Sequence, residues 1–169
     1  MDLFLSFDGR IRRGQWWLGV IILFVAALVL NLVIAAVLGG GFFGQLIGLL
    51  VMLAFFYPAL ALATKRLADR GKPPMPRLAL FYGPGLLSLV MQTFGIGYRP
   101  MGMGQFGEIP EGQIEGMPMG EFQGMEAMVP GAAASIILFI SFVAAIWALV
   151  ELGFLRGDEG PNAYGPPPA

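Results

Sequence analysis

Apolar residues fall into four long runs, separated by segments rich in glycine, proline or charge. The first extends from Trp16 to Leu38 and holds one strongly polar residue, Asn31. The second extends from about Phe42 to Ala63, with Gln45 near its start and Pro58 near its end. The third, Leu78 to about Ile96, is the weakest. Gly83-Pro84-Gly85 interrupts it, and an internal proline removes one helical hydrogen bond and kinks the axis. The fourth extends from Ala132 to Leu155, with Glu151 near its far end. At about 1.5 Å per residue, each run can cross a hydrocarbon core of about 30 Å. The pattern predicts an all-α membrane protein with four transmembrane helices, at about 16–38, 42–63, 78–96 and 132–155. The first run exceeds a signal-peptide core of about 7–15 residues and reads as an uncleaved anchor.

Charge sets the direction of threading. Arg10, Arg12 and Arg13 precede the first run, and Lys65, Arg66, Arg70, Lys72 and Arg77 lie between the second and third. Arg156 follows the fourth, and Arg99 alone falls on the other side. Cytoplasmic loops carry the Lys/Arg excess, so both termini and the loop 64–77 are expected in the cytoplasm. The turn near Gly39–Gly41 and a long flexible loop, 98–131, are expected to face outward. A re-entrant third run would exchange only the sides of Arg99 and Arg156.

Composition agrees with lipid as the solvent. Hydrophobic residues make up 57% of the 169 and charged residues 12%, against roughly 45–50% and about 25% in soluble domains. Cysteine and histidine are absent, which excludes thiol nucleophiles, disulfides, Cys/His zinc sites and imidazole bases. A net charge of −1 gives no footprint for nucleic acid.

The polar segments carry the candidate chemistry. In the N-terminal segment, Leu3, Phe4, Phe7 and Ile11 share one sector of a helical wheel, with the arginines and Trp16-Trp17 following. That pattern suits an interfacial anchor. Asp69 lies among cations and is expected to form ion pairs, worth little if exposed. Glu151, near the cytoplasmic interface, is within expected reach of Lys65, Arg66 or Arg156. Asn31 and Gln92 are expected to bond between helices, and Gly40, Gly44 and Gly48 to allow close helix approach within the protein. The loop 98–131 is rich in Met, Glu and Gly, with no sustained period. Its pairs Met101/Met103 and Met117/Met119 offer soft ligands to Cu(I), although merely tolerated methionine is the simpler reading. Its Gly102-Met103-Gly104-Gln105-Phe106-Gly107 has the dinucleotide spacing without the strand and helix that motif needs.

Three motifs beside the runs form a recognisable series. The first is Phe7-Asp8-Gly9-Arg10-Ile11-Arg12-Arg13-Gly14-Gln15-Trp16-Trp17. The second is Pro58 followed by Lys65-Arg66-Leu67-Ala68-Asp69-Arg70-Gly71. The third is Gly157-Asp158-Glu159-Gly160-Pro161-Asn162-Ala163-Tyr164-Gly165-Pro166-Pro167-Pro168. In this order and spacing the chain resembles the bacterial inner-membrane proteins grouped as domain of unknown function family 805. It departs at Ala68, where the family has histidine, and at Lys72-Pro73-Pro74-Met75-Pro76, where the family has Ser-Gly-Trp-Trp. The loop 98–131 looks like an insertion. The resemblance implies a multi-pass plasma-membrane protein with no established biochemical activity.

All three motifs fall on the expected cytoplasmic side. Arg10, Arg66, Asp69, Asn162 and Tyr164 are therefore expected to converge into one polar cluster, with the tail 156–169 tied to the loop 64–77. Arginine pairs carboxylates and phosphates bidentately, so such a cluster suits an anionic lipid headgroup or a membrane partner. The function read here is non-enzymatic, with no cofactor or metal and no nucleic-acid partner. The oligomeric state stays open. The alternative is an oligomeric subunit of a small transporter or channel. A polar cavity at mid-membrane depth would favour that alternative, and a dry bundle with a polar cytoplasmic end the first reading.

Overall fold

In the computed structural model, residues 3–39, 41–100 and 128–168 are described. Four helices dominate: α1 (Arg13–Leu38), α2 (Phe42–Asp69), α3 (Pro74–Thr93) and α4 (Ala132–Leu149). A π-helical turn, Val150–Phe154, extends α4, and a short antiparallel pair, β1 (Tyr98–Pro100) and β2 (Met128–Pro130), closes the α3–α4 hairpin.

Local chemistry sets the boundaries. At the start of α1 the Gln15 side chain accepts the Arg12 backbone N–H at 3.0 Å, satisfying a donor that a bare helix end leaves open. Gly39 stops α1 at φ 71°, a left-handed conformation that glycine adopts without a Cβ clash. Gly44 packs so tightly on the Gly39 carbonyl that a Cβ there would overlap it. Gly48 faces Asn31 of α1, so Gly44 and Gly48 serve close approach inside one molecule; Gly40 lies outside the described residues. α2 ends at Gly71, φ 62°, with the Lys72 N–H returning to the Leu67 carbonyl at 2.9 Å. α3 continues through Gly83-Pro84-Gly85 without a break.

Among the described residues, three helical stretches are long and apolar enough to cross a membrane: Arg13–Leu38, Phe42–Asp69 and Ala132–Phe154. Only 6%, 22% and 11% of their apolar windows are buried inside the molecule, so most of that surface must find another apolar environment. α3 is the least apolar of the four helices.

The packing is asymmetric from end to end. α1 packs on α2, α2 on α3, and α3 most extensively on α4. α1 also meets the π turn that follows α4. The bundle is thus drawn together at the end that holds the N-terminal segment, the α2–α3 connection and the tail. The hydrophobic cluster sits there too, built on Ile11, Trp16, Leu62, Leu67, Phe81 and Leu152.

The described structure corrects three expectations. The N-terminal segment is not helical before Arg13. Gly9 at φ 92° breaks the wheel pattern, and the segment tucks Ile11 (3% exposed) into the core. The base of the loop 98–131 is ordered: β1 and β2 pair, and the Gly131 N–H adds a bond to the Gly97 carbonyl at 2.8 Å. Residues 101–127 lie outside the described residues, and with them the methionine pairs and the glycine motif. Asn31 bonds the Ala27 carbonyl of its own helix at 2.9 Å, since an amide one turn on can reach that oxygen. Gln92 is exposed. A side-chain link between helices is instead Ser88 to Ser141, α3 to α4, at 2.9 Å.

Candidate functional site

Two guanidinium groups and one carboxylate form the buried centre of the drawn-together end. Asp69 is carried there by the last turn of α2, and Arg66 lies one turn earlier on the same face. Arg10 reaches them from the extended N-terminal segment. Arg10, Arg66 and Asp69 are 4%, 1% and 3% exposed. Asp69 Oδ1 accepts Arg10 Nε at 3.2 Å, and Asp69 Oδ2 accepts Arg66 Nη1. The expected ion pairs of Asp69 are present, and they are buried rather than exposed, because α2 stays helical to Asp69 and the tail folds over its end.

Arg10 has no donor to spare. Its Nη1 donates to the carbonyls of Gly160 (2.8 Å) and Gly165 (3.1 Å). Its Nη2 donates to those of Asp69 (3.3 Å) and Asp158 (2.6 Å). With the Nε bond, all five guanidinium N–H groups are used. Arg10 is therefore a clasp for the tail, with no N–H left for a ligand.

The π turn explains how Arg66 is held. A helix end leaves carbonyls unsatisfied, with partial negative charge. Arg66 Nε takes the Leu152 carbonyl at 2.8 Å and Arg66 Nη2 takes that of Leu155. Trp17 Nε1 takes Gly153 at 3.1 Å, and Arg70 Nη1 takes Glu151 at 2.9 Å. The Leu155 N–H reaches back to Val150, the wide turn that opens these carbonyls. Glu151 also pairs through its carboxylate with Arg70, rather than with Lys65, Arg66 or Arg156. Arg70, just past the end of α2, faces it directly, whereas Lys65 is turned to the Leu3 carbonyl at 3.2 Å and Arg66 is held by Asp69.

Asn162 joins the cluster and Tyr164 joins it only by backbone. Asn162 Nδ2 donates to the Ala68 carbonyl and to Asp158 Oδ2, both at 2.9 Å. Its Oδ1 accepts the Tyr164 N–H at 2.9 Å, while the Tyr164 ring lies outside, 37% exposed. Two glycines make room. A Cβ on Gly157 would run into the Asp69 carboxylate, and one on Gly71 would lie 2.7 Å from Asp158 Oδ2.

A polar groove of about 770 Å³ opens beside this centre. Arg12, Arg13 and Arg156 line it together with Asp158 and Glu159, and Arg66 and Asp69 border it. Arg12 donates to the Pro168 carbonyl at 3.2 Å. Arg13 and Arg156 are exposed and have no hydrogen bond or ion pair among the described residues. Arg13 and Arg70 stand close enough to repel Arg66, which shares a single carboxylate with Arg10. Sequence reasoning treated Arg12, Arg13 and Arg156 as threading signals and missed their meeting in one groove. The signal available was the spacing of a basic pair at the start of one run and a lone arginine at the end of another.

The apolar helices, three of those described able to cross a membrane, define an integral membrane protein with one charged, tail-clasped end. The chain belongs to the family described as "Protein of unknown function (DUF805)", which it matches over residues 4–166. It is similar to the inner membrane protein YhaI of Escherichia coli strain K12, with 32% identity over 108 residues, 64% of this chain and 88% of the relative. YhaI of E. coli O157:H7 gives the same values. No solved structure matches. Neither the family description nor the relatives' names carry a sign of enzymatic activity.

Proposed function

We propose that this protein is a non-enzymatic, four-span membrane component whose closed end faces the cytoplasm and holds an anionic lipid headgroup there. Nine of its ten Lys/Arg residues lie at that end, as the positive-inside bias requires of a cytoplasmic face. α3 supports a fourth crossing: beyond the non-helical Met75 it runs for about 27 Å toward the β1–β2 pair.

The observation that carries the lipid reading is the meeting of Arg12, Arg13 and Arg156 around one groove, with Arg13 and Arg156 unpaired. They flank the first turn of α1 and the segment just past the π turn, at the level where headgroup phosphates lie. Guanidinium groups suit phosphate oxygens in planar, bidentate geometry. Arg66 and Asp69 border the groove, and the donors of Arg10, Arg66 and Asn162 are largely spent on the fold.

Native mass spectrometry of the full chain, released from nanodiscs of phosphatidylglycerol and phosphatidylethanolamine, tests this reading. Bound phosphatidylglycerol should fall about tenfold in the pair Arg13→Gln and Arg156→Gln, a loss of about 1.4 kcal/mol. Equal retention by wild type and variant, at equal melting temperature, would sink the proposal.

The transporter or channel alternative draws less support. The hydrophobic cluster at the closed end packs Leu62, Leu67 and Phe81 together, and among the described residues no charged side chain lines the cavity at the far end.

A further inference from the structure

The far end of the bundle holds a second cavity, of about 760 Å³, with different chemistry. It arises because α1 and α3 both pack on α2, while α1 meets the chain beyond α4 chiefly at the π turn. The helices therefore close on one another at the charged end and leave a wedge at the other. Asn31 of α1, Gln92 and Thr93 of α3 and Tyr98 of β1 line this wedge, as does Gln45 of α2. Among the described residues, none that lines it is charged.

Several of these polar groups keep bonding capacity. Asn31 uses one amide N–H on Ala27, and its Oδ1 faces Gly48, where a Cβ would stand 3.3 Å away. Thr93 Oγ1 donates to the Leu89 carbonyl at 2.9 Å and keeps its acceptor capacity. Gln92 and Tyr98 make no side-chain hydrogen bond among the described residues. The remaining wall is apolar or glycine, including Leu49, Met52 and Leu89. Asn31 lies about 10 Å from the end of α1, counted along the helix, so the cavity reaches only part of the way into the bundle. A mid-depth asparagine is costly against hydrocarbon unless something bonds it.

We infer that this wedge is a binding site for a lipid with an uncharged, hydroxyl-bearing headgroup. Amide and phenol groups match hydroxyl and ester oxygens, whereas a phosphate or ammonium would meet no counter-charge among the described lining residues. The half-apolar wall suits the adjoining acyl chain, and the volume lies within the range of small-molecule sites. The site goes beyond the anionic groove and is independent of it.

The test uses the full chain in nanodiscs containing phosphatidylglycerol and monogalactosyl diacylglycerol as the neutral probe. Retained lipid is read by native mass spectrometry for wild type, Asn31→Leu, Gln92→Leu and the Arg13→Gln/Arg156→Gln pair. Galactolipid retention should drop about tenfold in Gln92→Leu and at least as far in Asn31→Leu, a change of about 1.4 kcal/mol. It should hold in the arginine pair, where only phosphatidylglycerol is lost. Gln92 is exposed and outside the packed core, so Gln92→Leu reads binding even if Asn31→Leu folds poorly. Galactolipid retention equal in wild type and Gln92→Leu overturns the inference. So does preferential capture of phosphatidylglycerol that Gln92→Leu abolishes.

Discussion

The two ends of the bundle solve opposite problems. At the closed end, charge is buried and clasped: Arg10 alone ties together the end of α2 and three stretches of the tail. At the open end the described groups lining the cavity are neutral, and several keep bonding capacity. The difference teaches where stability and binding capacity reside. A buried guanidinium with its donors filled holds structure and offers a ligand little. Unpaired arginines in a groove and the exposed Gln92 amide in a wedge cost the fold little and leave contacts for something else.

Substitutions can break this contrast, and the largest effect should come from its hinge. Asp69→Ala leaves two buried guanidiniums without their shared carboxylate. It should cost about 3–5 kcal/mol, the range for breaking a buried pair, seen as a large loss of melting temperature and abundance. A shift no larger than that of a surface mutation would mean that carbonyl oxygens alone neutralise the centre. Gly157→Ala should follow, at roughly 1–3 kcal/mol, because its Cβ enters the space of the Asp69 carboxylate. Thermal unfolding in detergent measures this, and an unchanged midpoint would show that the tail can lift away freely. Asn162→Ala removes the bonds to Ala68 and Asp158 and should cost about 1 kcal/mol. Limited proteolysis should then cut the tail faster. Tyr164→Phe should stay within about 0.5 kcal/mol, as for a surface site. A larger loss in the same unfolding assay would place the ring inside the cluster after all.

Much of the fold was legible because lipid imposes simple rules. Four apolar runs became four helices, and Gly39 and Gly71 ended two of them. The meeting of Arg10, Arg66, Asp69 and Asn162 at one end was legible from the order and placement of their motifs. Their burial was not. Nothing in a linear pattern tells that Gly9 turns the N-terminal segment inward, or that the tail covers Asp69. The π turn escaped for a related reason: its width serves Arg66, Arg70 and Trp17, which come from distant segments. Asn31 was misread because an amide in a helix can satisfy itself on its own carbonyls, and sequence does not say which partner wins. The wedge at the open end was missed because it is an absence of packing between α1 and the chain beyond α3.

The claim on which the rest depends is that the closed, charged end lies in the cytoplasm and the open, neutral end outside. The chain contains no cysteine, so single cysteines report cleanly. Ile96→Cys, at the open end, and Glu159→Cys, in the tail, both replace exposed residues. They would be labelled in intact spheroplasts with a membrane-impermeant maleimide, before and after lysis. The account predicts labelling at 96 from outside and at 159 only after lysis. The reverse pattern would contradict it, placing the arginine groove outside and inverting the whole bundle.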